Sequence, residues 1–242
     1  FRNKTKGALV YPAIVVTGMV VVGAVMMVFV VPRLTVMYAD FGAELPLPTR
    51  ILMGVSGFMV KFWWMAILGV GGAVLGLRAW SKTPMGAMQM DQLLFRLPIM
   101  GALRRELLFT EFTRTLGLLV ASGISILEAL RIVAAAAGSP VYKEKIVLGA
   151  VQVEKGFPLA ATLAADEAFP PLLSQMISVG EETGKLDEVL EKLSGYFEGE
   201  AETKIKGLTT AIEPLIMILL GVGVGFLIVA VIMPIYNLTS KF

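Results

Sequence analysis

The chain has 242 residues, 56% of them hydrophobic and only 17% charged, with a net charge of +2. A soluble domain of this size cannot bury so many apolar side chains, so part of the chain must face lipid. The near-neutral balance gives no electrostatic case for nucleic acid. With 0 cysteines and 0 histidines, the chain has no disulfide, no thiolate metal site and no imidazole base or ligand.

In chain order, residues 1–7 carry Arg2, Lys4 and Lys6 ahead of a first span, Ala8–Val31, which has no ionisable side chain. About 20 apolar residues suffice to cross a bilayer. Residues 32–61 then read as an extracytoplasmic loop ending in an interfacial helix. The apolar positions Ile51, Leu52, Val55, Phe58 and Met59 of that helix share one face. A second span follows at Phe62–Trp80, with Phe62-Trp63-Trp64 as an aromatic belt at one end and Trp80 at the other. The alternative is one long tilted helix from Ile51 in which Lys61 snorkels.

Residues 81–210 lack strand alternation and read as a helical bundle of about six helices packed in antiparallel hairpins. Pro84, Pro98, Gly123, Ser139-Pro140, Gly156, Pro170-Pro171 and Gly184 punctuate it. Ala102–Ala121 and Ile124–Ala137 are predicted helices, the second started by Ser122 or Ser125. Leu186, Val189, Leu190, Leu193, Tyr196 and Phe197 form the stripe of a last helix. No strong breaker separates that helix from a third span at Ala211–Tyr236, and 237–242 form a short tail. Basic residues cluster at the start and around 78–82 and 204–206. The positive-inside rule therefore places the start and residues 81–210 in the cytoplasm and the C-terminus outside.

Shifting the chain by 202 positions superposes the first and third spans: Pro12 on Pro214, Pro32 on Pro234, Gly23 on Gly225 and Lys4 on Lys206. The third span follows a helical domain, whereas the first follows only six or seven residues. The repeat leads us to expect a similar helical domain ahead of Phe1.

The stretch Ser178–Glu188, SVGEETGKLDE, packs four carboxylates into eleven residues. Gly180 and Gly184 are expected to bracket a tight reversal, with Asp187 and Glu188 in the first turn of the next helix. Glu181 and Glu182 are left without a local reason, and a hard cation needs more oxygens than two glutamates bring. Nothing here assembles a catalytic group, a cofactor site or a metal site. Gly72-x-x-x-Gly76 and Gly221-x-x-x-Gly225 lie in spans and suit close helix packing rather than phosphate binding. Glu213 sits at a span edge, where a helix start tolerates a carboxylate, which argues against a proton relay. Arg104-Arg105 and Glu181-Glu182 are candidate partner contacts, with exposed helix-end charge as the plainer reading.

Several stretches resemble the type II secretion F family of polytopic inner-membrane platform proteins. They are Leu45-Pro46-Leu47-Pro48-Thr49-Arg50, Leu116–Leu130 (LGLLVASGISILEAL), Phe169-Pro170 followed by Gln175-Met176-Ile177, and Val179–Leu186. Glu213-Pro214-Leu215 and Met233-Pro234-Ile235 complete the set. The resemblance implies a homo-oligomeric, non-enzymatic scaffold in the inner membrane without a cofactor. Such a scaffold contacts a cytoplasmic assembly or secretion ATPase, pilin or pseudopilin subunits and other inner-membrane assembly proteins. Type IV pilus assembly is the expected system, with a type II secretion pseudopilus or a small transporter subunit as alternatives.

Overall fold

Thr83-Pro84 and Ser139-Pro140 each open a helix, because the hydroxyl caps a free N–H and proline has none to waste in the first turn. The computed structural model describes residues 2–33 and 47–239, and all regular structure among them is helical. Helix α1 (Arg2–Val25) passes into a π-helical turn, Met26–Val30. Next come α2 (Leu47–Ser81), α3 (Pro84–Arg96), α4 (Pro98–Ala121), α5 (Ile126–Ala136) and α6 (Pro140–Glu154). The chain continues with α7 (Leu159–Ala164), α8 (Pro171–Thr183) and α9 (Leu186–Thr239). The loop expected before the second span falls largely on 34–46, outside the described residues.

Contacts divide the chain into two units, Phe1–Gly76 with Lys206–Phe242, and Leu77–Ile205. In the second unit, Thr83, Ser125 and Ser139 cap α3, α5 and α6 by accepting from the N–H groups of Gly86, Glu128 and Tyr142. Of the two serines considered for α5, it is therefore Ser125 that starts the helix. The core holds Phe109, Leu116, Leu130, Ile146, Leu173, Ile177, Leu190 and Phe197. Tyr142 stands edge-on to Phe109 at 5.6 Å and to Phe169 at 5.8 Å, favourable geometry for aromatic quadrupoles. The predicted α9 stripe is buried at Leu186, Val189, Leu190, Leu193 and Phe197, but Tyr196 is 50% exposed and turns outward. Its position, ten residues after Leu186, lies at the margin of a 3.6-residue stripe.

The first unit contains helices long and apolar enough to cross a membrane: Ala13–Arg33, a stretch of α9, and a bent pair in α2. Val22, Phe29, Leu68, Ile218 and Val222 are each at least 60% exposed, as suits helices surrounded by hydrocarbon. In α2, the break expected at Lys61 does not occur. Helix runs unbroken from Leu47 to Ser81, and its two halves, Thr49–Met65 and Ile67–Ser81, bend by 48°. No residue around Lys61 lacks an N–H, so nothing there interrupts the ladder, and the long-helix alternative describes the backbone. The Lys61 ammonium lies 5.7 Å from the Phe62 ring centroid.

The repeat prolines interrupt the helical hydrogen bonding of the spans. Pro12, Pro214 and Pro234 lie within continuous helices rather than at their ends, and Pro32 follows the π turn. A proline inside a helix leaves one carbonyl without its usual donor. In α9 that acceptor is Ala230, four residues before Pro234, and the Thr49 hydroxyl donates to it at 2.8 Å. In the π turn, Val31 N–H bonds Met26 O, an i to i+5 register. Continuing that register would pair Met27 O with Pro32, which has no proton to give. The Ser56 hydroxyl donates to Met27 O instead. Thr49, Leu52 and Ser56 lie on one face of α2 and are 4%, 2% and 3% exposed. Leu52 packs with Val31 and Ala230 between the two caps.

Candidate functional site

The acidic stretch resolves into separate jobs. Gly184 has φ of +68° and ends α8 in the left-handed conformation, while Lys185 N–H returns to Gly180 O at 3.0 Å. Gly180 accepts the bond that closes the turn but is itself a buried helical residue of α8, so Gly184 alone of the two expected glycines supplies the left-handed conformation. A Cβ there would lie 3.0 Å from Leu186 Cα and 3.3 Å from Val189 Cβ, so glycine lets the start of α9 approach α8. Asp187 and Glu188 occupy the first turn of α9, where the helix dipole favours them.

Glu181 and Glu182 part company. The two Glu181 oxygens accept from the N–H groups of Leu159 at 2.8 Å and Ala160 at 3.0 Å. Glu181 thus caps α7 from another helix, because Pro158 at its N-cap offers no side-chain acceptor. Glu182 is exposed and accepts from the Ser178 hydroxyl one turn earlier. Pro170, extended at φ −66° and ψ 143°, precedes Pro171 in the first turn of α8 and leaves Phe169 in the core.

The Arg104-Arg105 pair divides in the same way. Arg104 binds Asp91 at 2.6 Å and lies over the Phe95 ring, with its guanidinium 5.6 Å from the centroid. Asp91 is 2% exposed and also accepts from the Ser139 hydroxyl and from Val141 N–H at 3.4 Å, joining α3, α4 and the start of α6. Sequence reasoning missed Asp91 as a structural centre. The only local sign was an acid on an amphipathic helix, and its partners lie 13 to 50 residues away.

Arg105 is exposed and lines a cleft of about 240 Å³ with Gln92, Phe95, Arg96, Tyr142 and Glu167. Burial pushes the Tyr142 phenol above its ordinary value, partly opposed by the Arg105 charge. Its hydroxyl donates to Ala168 O at 2.9 Å. Burial alone would raise the Asp166 carboxyl, but hydrogen bonds from Lys145 and Ala168 N–H outweigh it and hold the group below the ordinary value.

Gly72, Gly76, Gly221 and Gly225 face open space: a Cβ at any of them would meet nothing within 4 Å among the described residues. Thr49 and Ser56 were also missed, although two hydroxyls seven residues apart in an apolar helix are a legible sign of one polar contact face.

The family model for type II secretion system protein F matches residues 112–234. The chain is 37% identical over 238 residues to type IV pilus assembly protein PilC of Thermus thermophilus, covering 98% of this chain and 59% of that protein. It is 34% identical over 238 residues to type IV pilus assembly protein TapC of Aeromonas hydrophila, covering 98% and 58%. It is 35% identical over 244 residues to type II secretion system protein F of Xanthomonas campestris, covering 99% and 60%. The chain thus spans roughly three fifths of the length of these relatives. With the matched residues spanning half of its length and the alignments nearly all of it, the chain belongs to the type II secretion system protein F family.

Proposed function

We propose that this chain is the inner-membrane platform of a type IV pilus assembly system, coupling a cytoplasmic assembly ATPase to insertion of pilin subunits into the fibre. The observation that carries this reading is the 37% identity along nearly the whole chain to a type IV pilus assembly protein. In this reading the chain crosses the membrane at 8–31, along the long bent helix α2, and at 211–236. Residues 81–210 form the cytoplasmic helical bundle, the segment between the first span and α2 is extracytoplasmic, and the C-terminus lies outside. The chain works as a homo-oligomer, and the open glycine faces at Gly72–Gly76 and Gly221–Gly225 suit contact with other copies or with pilin-like helices. Docking of the ATPase and of other inner-membrane assembly proteins falls to the exposed charges Arg105 and Glu182. Arg104 and Glu181 are instead engaged within the fold, by Asp91 and by the start of α7.

The 35% identity to a type II secretion protein F supports a second reading, a pseudopilus platform. Complementation separates the two. Cells lacking the full-length gene are expected to lose surface pili and regain them on its return, with protein secretion unaffected. Loss of secretion with intact pili would favour the second reading. Reporter fusions after residues 40, 150 and 239 test the orientation, which requires the middle fusion alone to report cytoplasm.

A further inference from the structure

The cleft beside Arg105 holds a charge arrangement that the fold itself does not use. Arg96 and Arg105 line it from α3 and α4, both exposed, and neither forms a hydrogen bond or ion pair among the described residues. Their neighbours differ: Arg104 is held by Asp91, and Lys145 by Asp166. Glu167 lines the same cleft without bridging to either arginine. From Lys82 to Lys206 the chain carries 13 basic and 16 acidic side chains. Two unneutralised guanidinium groups in one concavity therefore form a local positive focus on a mildly acidic surface.

The walls narrow the chemistry. Phe95, Val141 and Ala168 give the cleft an apolar side, and Gln92 adds a polar group that can donate or accept. The first N–H groups of α6, Val141 and Tyr142, which could otherwise cradle a phosphate, are taken by Asp91 and Ser139. Guanidinium forks next to an aromatic wall suit carboxylates carried beside an apolar side chain.

We propose that this cleft binds an acidic segment of a partner polypeptide, its carboxylates on Arg96 and Arg105 and a neighbouring apolar side chain against Phe95 and Val141. The proposal rests on the platform reading only for where the partner comes from.

The test uses the purified chain in detergent and a fluorescent peptide, Leu-Glu-Asp-Leu-Glu-Asp. Saturable binding that weakens with salt is expected. The double variant R96A/R105A is expected to weaken it about tenfold, while Arg131→Ala, which removes an exposed arginine already paired with Glu154, leaves it unchanged. Glu167→Gln is expected to tighten binding about twofold by removing the opposing carboxylate, a gain that misfolding cannot produce. Absence of saturable binding, or equal affinity in R96A/R105A, overturns the proposal. So does displacement of the peptide by inorganic phosphate or phosphatidylglycerol vesicles at matched charge, which assigns the cleft to a phosphate group instead. Binding is read on purified protein and pilus formation in complemented cells, so either reading can fail without the other.

Discussion

The Thr49 hydroxyl donates to the carbonyl of Ala230 at 2.8 Å, across 181 residues of sequence. Because Pro234 cannot supply the intrahelical donor, this bond fills an acceptor that would otherwise sit unpaired away from water. Thr49→Val keeps the shape and removes the donor, and is expected to cost about 1 kcal/mol in detergent unfolding. Pro234→Ala restores the backbone donor. In that background Thr49→Val is expected to be nearly neutral. An equal penalty in both backgrounds would mean that the threonine acts through packing and not through the proline's orphan carbonyl.

The repeated prolines were legible as a pattern, but what completes them was not. Thr49 and Ser56 serve the two proline-marked helices from a third helix, and no local rule connects a hydroxyl to a carbonyl so far along the chain. Helix starts were legible for the opposite reason. Thr83, Ser125 and Ser139 cap a helix three residues on, so the signal and its effect share one window of sequence. Glu181 shows the limit clearly: its neighbours in sequence explain nothing, and its two donors lie 21 and 22 residues earlier.

Gly180 and Gly184 look alike in the sequence and are expected to fail differently. Gly180→Ala places a Cβ 3.0 Å from backbone that cannot swing away, Leu186 Cα, and is expected to cost about 1–3 kcal/mol in urea unfolding. Gly184→Ala meets open space but must hold φ of +68°, at a cost of about 1 kcal/mol. Replacing Gly184 by Asn, which tolerates that conformation, should recover part of the loss, whereas Gly180→Asn should be worse than Gly180→Ala. The reverse order would mean that the positions have been given each other's roles.

The glutamate pair makes a matched comparison. Glu181→Gln keeps one acceptor oxygen, loses the charge and puts an amide donor against N–H groups, so it is expected to destabilise by about 1–2 kcal/mol. Glu182→Gln keeps an acceptor for the Ser178 hydroxyl on an exposed surface and is expected to stay within about 0.5 kcal/mol of the parent. Hydrogen exchange localises the effect: the amides of Leu159 and Ala160 should exchange faster in Glu181→Gln and unchanged in Glu182→Gln. Equal protection in both variants would remove the cap as the reason for Glu181.

Asp166 links stability to pH with a definite sign. Although burial pushes its carboxyl upward, hydrogen bonds from Lys145 and Ala168 N–H hold the folded value below the ordinary one. A group with a depressed folded value stabilises the fold above its unfolded value, and loses that contribution as pH falls through the folded value. Both partners are about a third exposed, so water screens the pair and the contribution at pH 7 is expected to be about 1 kcal/mol or less. Asp166→Asn should therefore be less stable than the parent at pH 7, with the gap closing as both are acidified below the folded value. Lys145→Met should remove most of the same pH-dependent difference, leaving the part due to the Ala168 N–H. Urea midpoints of the three proteins at pH 7, 5 and 3 make the comparison, and a gap between parent and Asp166→Asn that widens toward pH 3 would reverse the assigned sign.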